Sequence, residues 1–340
     1  MSSSLRNFLI TRIILTIPMV LILVTMVFFI MRILPGDPIR SQLGPKVTAE
    51  QAAVLRERLG LNRPILVQYF SFLRDMVTLN FGNALTQGER PILDELGERM
   101  PATIELSIPS ILITAVVGIF MGAYAARKRK KTADFGIRLF SILIYSIPIF
   151  FLGLILQIIF SVRLNLLPLA GRINPIVLLN FHPITNFYVI DSILTRNWVA
   201  LWSCLTHLIL PSVTLGLALC GVFIRLTRVN MIEMLQSDFI TSGRARGIPE
   251  RTLAYRHAMR NSFIPILTLL GLQFAILLAG AVLTETTFSW PGVGRYLVER
   301  IALRDYTAVQ ATIAVFAIFV AIVSLLMDIL YAFVDPRIRY

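Results

Sequence analysis

The side chains best able to do chemistry in this chain are cations, and they crowd one stretch. Residues 231–261 read MIEMLQSDFITSGRARGIPERTLAYRHAMRN. Arg244, Arg246, Arg251, Arg256 and Arg260 lie within it, and Arg225 and Arg228 stand just before it. No acid, nucleophile and base come together around them, so the chemistry on offer is recognition and not catalysis. His257, beside Arg256 and Arg260, reads as an interface hydrogen-bonder; His182 and His207 have no acid and nucleophile alongside. Cys204 and Cys220 read as buried apolar thiols, too far apart along one helix to bond each other. No Cys/His cluster has metal-ligand spacing, and no G-x-x-x-x-G-K-S/T phosphate loop occurs.

The stretch must itself be folded to present those cations. Pro249 followed by Glu250 marks a helix start, because proline lacks an N–H that would be unpaired there and the acid faces the positive end of the dipole. Gly247 can adopt positive φ and let the chain turn. The expectation is therefore helix, turn at Arg246-Gly247-Ile248, helix. Phe239, Ile240, Ile248, Leu253 and Tyr255 read as an exposed apolar cluster with arginines at its rim, the composition of a protein contact.

The rest of the chain is built to cross a bilayer. Of 340 residues 56% are hydrophobic and only 15% charged, with mean hydropathy +0.76. That excludes an ordinary soluble domain, and it makes the net charge of +13 a matter of membrane topology, not of nucleic acid. An apolar run over 13–33 is too long for a signal peptide and has no small-residue cleavage site after it, so it reads as a retained first span. A polar segment follows, with a short helix over 50–59 capped by Thr48, a break at Gly60-Leu61-Asn62-Arg63-Pro64, and a second helical period over 67–79. Further spans are expected over 103–126, 137–162 with Pro148 inside, 205–226 with Pro211 inside, 263–283 and 308–331. External loops are expected over 163–200 and 284–305. The organisation is thus 1–102, one span plus a structured external segment, and 103–340, a five-helix core containing the 231–261 loop. The short loops on the N-terminal side are dense in Lys/Arg and hold few acids (Asp134, Glu233, Asp238, Glu250, Asp335), which places both termini and the 231–261 loop in the cytoplasm.

Thr241-Ser242-Gly243-Arg244-Ala245-Arg246-Gly247-Ile248, then His257-Ala258-Met259-Arg260-Asn261 and Pro265, resemble the coupling loop of prokaryotic ABC-importer permeases. The dipeptide/oligopeptide branch, and within it the B-type subunit, typically reads T-A-R-A-K-G-L there, followed by H-A-L-R-N and I-P. Gly243 departs from the family's alanine; at roughly 1 kcal/mol against alanine in a helix, it is expected to soften the first coupling turn or mark its end. Leu59-Gly60-Leu61-Asn62-Arg63-Pro64 with Gln68-Tyr69 matches that branch's L-G-L-D-x-P and Q-Y, with Asn62 replacing the acid. Phe288-Ser289-Trp290-Pro291-Gly292-Val293-Gly294 and Arg304-Asp305-Tyr306 match F-x-W-P-G-x-G and R-D-Y, and the likeness extends from Pro35-Gly36-Asp37-Pro38 to Asp335-Pro336-Arg337-Ile338-Arg339.

The resemblance implies an all-α polytopic membrane protein with six transmembrane helices, of type I ABC-importer permease architecture, in the cytoplasmic (inner) membrane. It implies a second homologous permease subunit, two ATPase subunits that bind ATP and Mg, and an extracytoplasmic substrate-binding protein. It implies no cofactor on this chain and no enzymatic activity of its own. Phe239 to Ile248, with Ala245, Glu250, Tyr255 and His257, would form the coupling element. Glu285 is a candidate for holding a peptide's charged end and Trp290 for shaping the outer mouth. Dipeptides are the favoured substrate; nickel complexes and oligosaccharides are alternatives within the family. An ion-gradient-driven transporter is the rival class, but it would want several intramembrane ionisable groups and internal repeats. Asp328 alone lies well inside a span, near its end, where a packing or pairing role is favoured. The run Arg127-Lys128-Arg129-Lys130-Lys131 reads as a positive-inside anchor with access to anionic lipid or to the ATPase.

Overall fold

The computed structural model describes residues 3–33, 48–58, 60–84 and 90–334. The expectations for Pro35 to Pro38, for the last six residues and for the side chain of Asp328 lie outside the described residues. Among the described residues the chain is helical, with one isolated bridge between Asn83 and Pro91 and no strand. It divides into two compact units, Met1–Pro101 with Pro291–Leu325, and Ala102–Trp290 with Leu326–Tyr340.

In the first unit, α1 (Ser3–Ile33) carries α3 (Ile65–Val77) along its side, after the short α2 (Ala49–Arg58). Aromatic packing joins them: Phe28 stacks on Phe72 at 5.5 Å, and the Thr25 and Tyr69 hydroxyls meet at 2.7 Å. The core gathers Val24, Phe81, Ile92, Leu96, Val293 and Tyr296 with the alanine face of α14 (Tyr306–Val334) at Ala308, Ala311 and Ala314. Within the segment expected as a loop lies a ten-residue helix, α13 (Val293–Ala302). Arg300 on α13 is 2% exposed and donates to Glu95 at 2.8 Å, with Asp305 at 3.8 Å. Asp305 also accepts from the Ala308 N–H and so starts α14. A cation this buried persists because it is paired.

α4 (Ile92–Arg127) is 36 residues long and begins well before the expected start near Thr103. Asp94 and Glu95 favour its first turn, and Ile92 and Leu96, one turn apart, both enter the first unit's core.

The second unit is organised on α9 (Trp198–Leu235), 38 residues with Pro211 inside. Small residues let neighbouring helices approach its backbone, as expected where packing and not water drives helix association. A Cβ at Gly216 would lie 2.8 Å from the Ser110 carbonyl oxygen, and one at Gly221 would lie 2.7 Å from that of Ser141. Thr114 and Ser141 hydroxyls donate to the Gly216 and Gly221 carbonyls, each at 2.9 Å. Cys204 and Cys220 are free and buried in this helix.

The straight span expected over 137–162 is broken. α5 (Thr132–Ser146) and α6 (Ile149–Leu156), the latter continued by a π-helix over Gln157–Arg163, are bent by 105°. The cause is local. A residue before proline is pushed out of the helical region, and Ile147 sits at ψ 126 with Pro148 capping α6. The loop expected over 163–200 contains α7 (Pro175–Leu178) and α8 (Tyr188–Leu194). It is held by a buried ion pair in which Arg172 donates to Glu105 at 3.0 Å.

Ile13–Arg32, Ile92–Arg127, Trp198–Leu235 and Thr307–Met327 are each long and apolar enough to cross a membrane, and the bent pair gives a fifth if it counts as one span. The remaining expected segment corresponds to α12 (Met259–Thr287).

Candidate functional site

The cation-rich stretch folds as helix, turn, helix. α9 ends at Leu235, and after Ser237 the chain enters α10 (Asp238–Ala245), with Asp238 favouring the first turn. The end of α10 is a two-bond αL cap. The Gly247 N–H donates to the Arg244 carbonyl at 2.9 Å and the Ile248 N–H to the Gly243 carbonyl at 3.1 Å. Gly247 sits at φ 76 with nothing near a would-be Cβ, so its backbone conformation and not crowding requires glycine. Pro249 then caps α11 (Glu250–Thr252). That turn passes through a π-helical stretch, Leu253–Ala258, directly into α12.

Gly243 neither ends α10 nor loosens it by exposure. It is buried, and a Cβ there would lie 2.7 Å from Leu253 Cδ2. The space an alanine would take is filled by the facing leucine.

The apolar residues expected to form one exposed cluster separate into two sets. Ile240 and Leu253 are buried with Met231, Ala254, Ala258, Ala123 and Ala126, and they are what holds α10 to the ends of α4 and α9. Phe239 is 43% exposed, while Ile248 and Tyr255 are half-buried. The Arg127 guanidinium lies 5.8 Å from the Tyr255 ring centre. Helical geometry explains the division, since neighbours 239 and 240 point about 100° apart on a helix.

In the same element, Thr241, Ser242, Arg244, Ala245, Arg246, Glu250, Arg251, Arg256, His257 and Arg260 are exposed. Arg244 closes the turn by donating to Glu250 through Nε at 2.6 Å and through a second nitrogen at 3.3 Å. That hydrogen bond, with the nearby charges of Arg244 and Arg127, holds the Glu250 carboxyl below its usual range. Arg228 does not belong to the rim. It donates to the buried Asp134 at 2.6 and 2.8 Å and ties α5 to α9. Neither this pair nor the Arg127–Tyr255 contact is visible in the sequence, where the partners are far apart; the one signal was an acid in the first turn of the helix after a basic run.

At the other end of the second unit, Glu285 is fully buried and accepts from the Thr103 hydroxyl at 2.7 Å. Trp290 is 1% exposed, and its indole N–H donates to the Ala102 carbonyl at 2.9 Å. Trp290 is therefore a core residue. Among the described residues no three His, Cys, Asp or Glu side chains gather where they could hold a metal ion.

Comparison with known proteins supplies the frame for this geometry. The family described as binding-protein-dependent transport system inner membrane component matches residues 118–340, and the N-terminal part of such components matches residues 5–107. The chain is 39% identical over 332 residues to the dipeptide transport system permease protein DppB of Alkalihalophilus pseudofirmus, covering 97% of this chain and 98% of that protein. It is 39% identical over 335 residues to the di/tripeptide transport system permease protein DppB of Pseudomonas aeruginosa (98% and 99% covered), and 36% identical over 336 residues to the dipeptide permease DppB of Escherichia coli (98% and 99% covered). With its arginine-rich, glycine-capped helical turn beside long apolar helices, the chain belongs to the family of binding-protein-dependent transport system inner membrane components, the permease subunits of ABC importers.

Proposed function

We propose that this chain forms half of the pore of an importer for short peptides, dipeptides foremost, and that the 238–260 element couples it to ATP hydrolysis in a separate subunit. Likeness to dipeptide permeases over nearly the whole chain supports the substrate class. One observation carries the coupling reading: an exposed Phe239 on an αL-capped helix, in an element whose Arg246, Arg251, Arg256 and His257 are exposed as well. An aromatic anchor surrounded by polar groups is the usual form of a binding hot spot. Phe239, Thr241, Ser242, Ala245 and Arg246 enter a cleft of the ATPase, Ile248 and Tyr255 line the base of the contact, and Arg244 with Glu250 keep the turn closed. Ile240, Gly243 and Leu253 act by fixing the element to α4 and α9.

The complete assembly contains a second homologous permease subunit, two ATPase subunits carrying ATP and Mg, and a substrate-binding protein on the outer face. Six spans put both termini and the coupling element in the cytoplasm. Closure of the ATPase pair moves the coupling elements together and turns the pore outward; hydrolysis returns it. Glu285 and Trp290 shape the outer part of the path by supporting α4 and the 163–197 segment.

Reconstitution of the complete assembly in vesicles tests this. ATP-dependent uptake of a labelled dipeptide, dependent on the binding protein, is expected, together with loss of ATPase retention in Phe239→Asp. Uptake confined to a non-peptide solute would overturn the substrate class, and full ATPase retention by Phe239→Asp would overturn the coupling role.

A further inference from the structure

The basic turn between α4 and α5 is not needed for the coupling reading, and it is built with care. Lys130 lies at φ 64, a left-handed conformation unfavourable for a side chain of this type. The Asp134 carboxylate holds it there by accepting from the Lys130 N–H at 3.1 Å. The Lys131 N–H donates to the Lys128 carbonyl at 2.9 Å and completes the turn. Asp134 is the one acid of this segment, and it is 1% exposed and neutralised by Arg228 at 2.6 Å, with Arg138 at 3.7 Å. Lys128, Arg129, Lys130 and Lys131 make no ion pair among the described residues. The turn therefore displays fixed positive charge with its local counter-charge consumed.

Directly beside the tip the surface turns apolar. On α5, Phe135 is 61% exposed, Leu139 46%, Ile142 62% and Leu143 56%, a stripe at i, i+4, i+7 and i+8. On α4, Phe120 and Tyr124 are exposed as well. A cationic tip at the head of an exposed apolar stripe matches a molecule with an anionic head and a hydrocarbon tail. An acidic protein surface would match the tip but not the stripe.

We infer that the Arg127–Lys131 turn and the exposed stripe of α5 bind an anionic phospholipid of the leaflet on the side of the coupling element. The phosphate meets Lys128 to Lys131, and an acyl chain lies against Phe135, Leu139 and Ile142. The inference rests on the family's membrane setting and not on the coupling role of Phe239.

The test uses the whole transporter in nanodiscs made from equal parts phosphatidylglycerol and phosphatidylcholine, with retained lipid quantified by mass spectrometry after transfer to detergent. A cation near an anionic membrane surface is worth about fivefold in relative binding. The quadruple variant Lys128→Gln, Arg129→Gln, Lys130→Gln, Lys131→Gln is expected to lower the retained glycerol-to-choline lipid ratio at least tenfold while keeping its ATPase subunits. Leu139→Ser with Ile142→Ser should lower retention of both lipids severalfold with the ratio still above one. For the unaltered protein, the ratio should fall as salt rises. An unchanged ratio in the quadruple variant, or a salt-insensitive ratio in the unaltered protein, overturns the proposal. So does a variant that sheds its ATPase subunits and keeps the lipid, which would make the turn a protein contact.

Discussion

Two arginine–carboxylate pairs in this molecule have nearly the same bond length and different roles. Arg300 and Glu95 meet at 2.8 Å with side chains 2% and 7% exposed; Arg244 and Glu250 meet at 2.6 Å with side chains 43% and 58% exposed. The first pair replaces water for two buried charges, so removing one partner strands the other, at a typical 3–5 kcal/mol. The second pair stands in solvent, where the same contact contributes about 1 kcal/mol or less. The first locks α13 onto α4; the second trims the shape of a turn whose real constraint is the backbone at Gly247. Burial, not bond length, separates a structural lock from a local adjustment.

That contrast can be broken most strongly at the buried pair. Arg300→Met removes the buried cation that meets both Glu95 and Asp305, and it is expected to lower stability by about 3–5 kcal/mol. Thermal melting of the detergent-solubilised protein, followed by size-exclusion chromatography, should show a clear drop in midpoint. A midpoint equal to that of the unaltered protein would mean the pair is not the lock.

Gly247→Val should come next. Forcing a β-branched residue to φ 76 costs about 1–2 kcal/mol or more, concentrated at the turn. The protein should still reach the membrane, but ATP-driven uptake should fall at least tenfold, and Gly247→Ala should fall between the two. Equal uptake by all three would show that the αL cap is dispensable.

Phe239→Ala removes an exposed anchor without touching the core and should weaken ATPase retention about tenfold, as for a modest hot spot. Ile240→Ala, one residue away, should instead lower thermal stability by about 2–4 kcal/mol through the cavity it leaves. If the two variants behave alike in both assays, the division of this cluster into anchor and core is wrong.

The smallest effect is expected at the exposed pair. The Glu250 carboxyl titrates below its ordinary value because Arg244 hydrogen-bonds the charged form. Its contribution is therefore complete above the unfolded carboxylate pKa and is lost as pH falls through the lower folded value. Being exposed, it is worth about 1 kcal/mol at most. Glu250→Gln should leave uptake at neutral pH within about twofold and remove only a shallow loss at acid pH. A steep loss at neutral pH would show that Glu250 does more than trim the turn.

Residue types close in sequence gave several features directly. The all-α membrane character follows from composition, because a long apolar helix satisfies its own backbone in a bilayer. The Gly247 turn and the Pro249 start follow from conformational limits that act within one or two residues. Pro148 was legible as a proline inside one expected span, but that it breaks the span with a 105° bend was not. Tertiary structure alone decided which apolar residues of the 238–255 stretch face the core, since Ile240 and Leu253 are buried with Ala123 and Ala126 from the end of α4, far away in the chain, as well as with the nearby Met231. It alone paired Asp134 with Arg228 across 94 positions and Arg300 with Glu95 across 205. It also put Trp290 against the Ala102 carbonyl, across 188 positions. Local sequence carries propensity and periodicity; which charge neutralises which, and which face is covered, depends on long-range packing that no window of neighbouring residues contains.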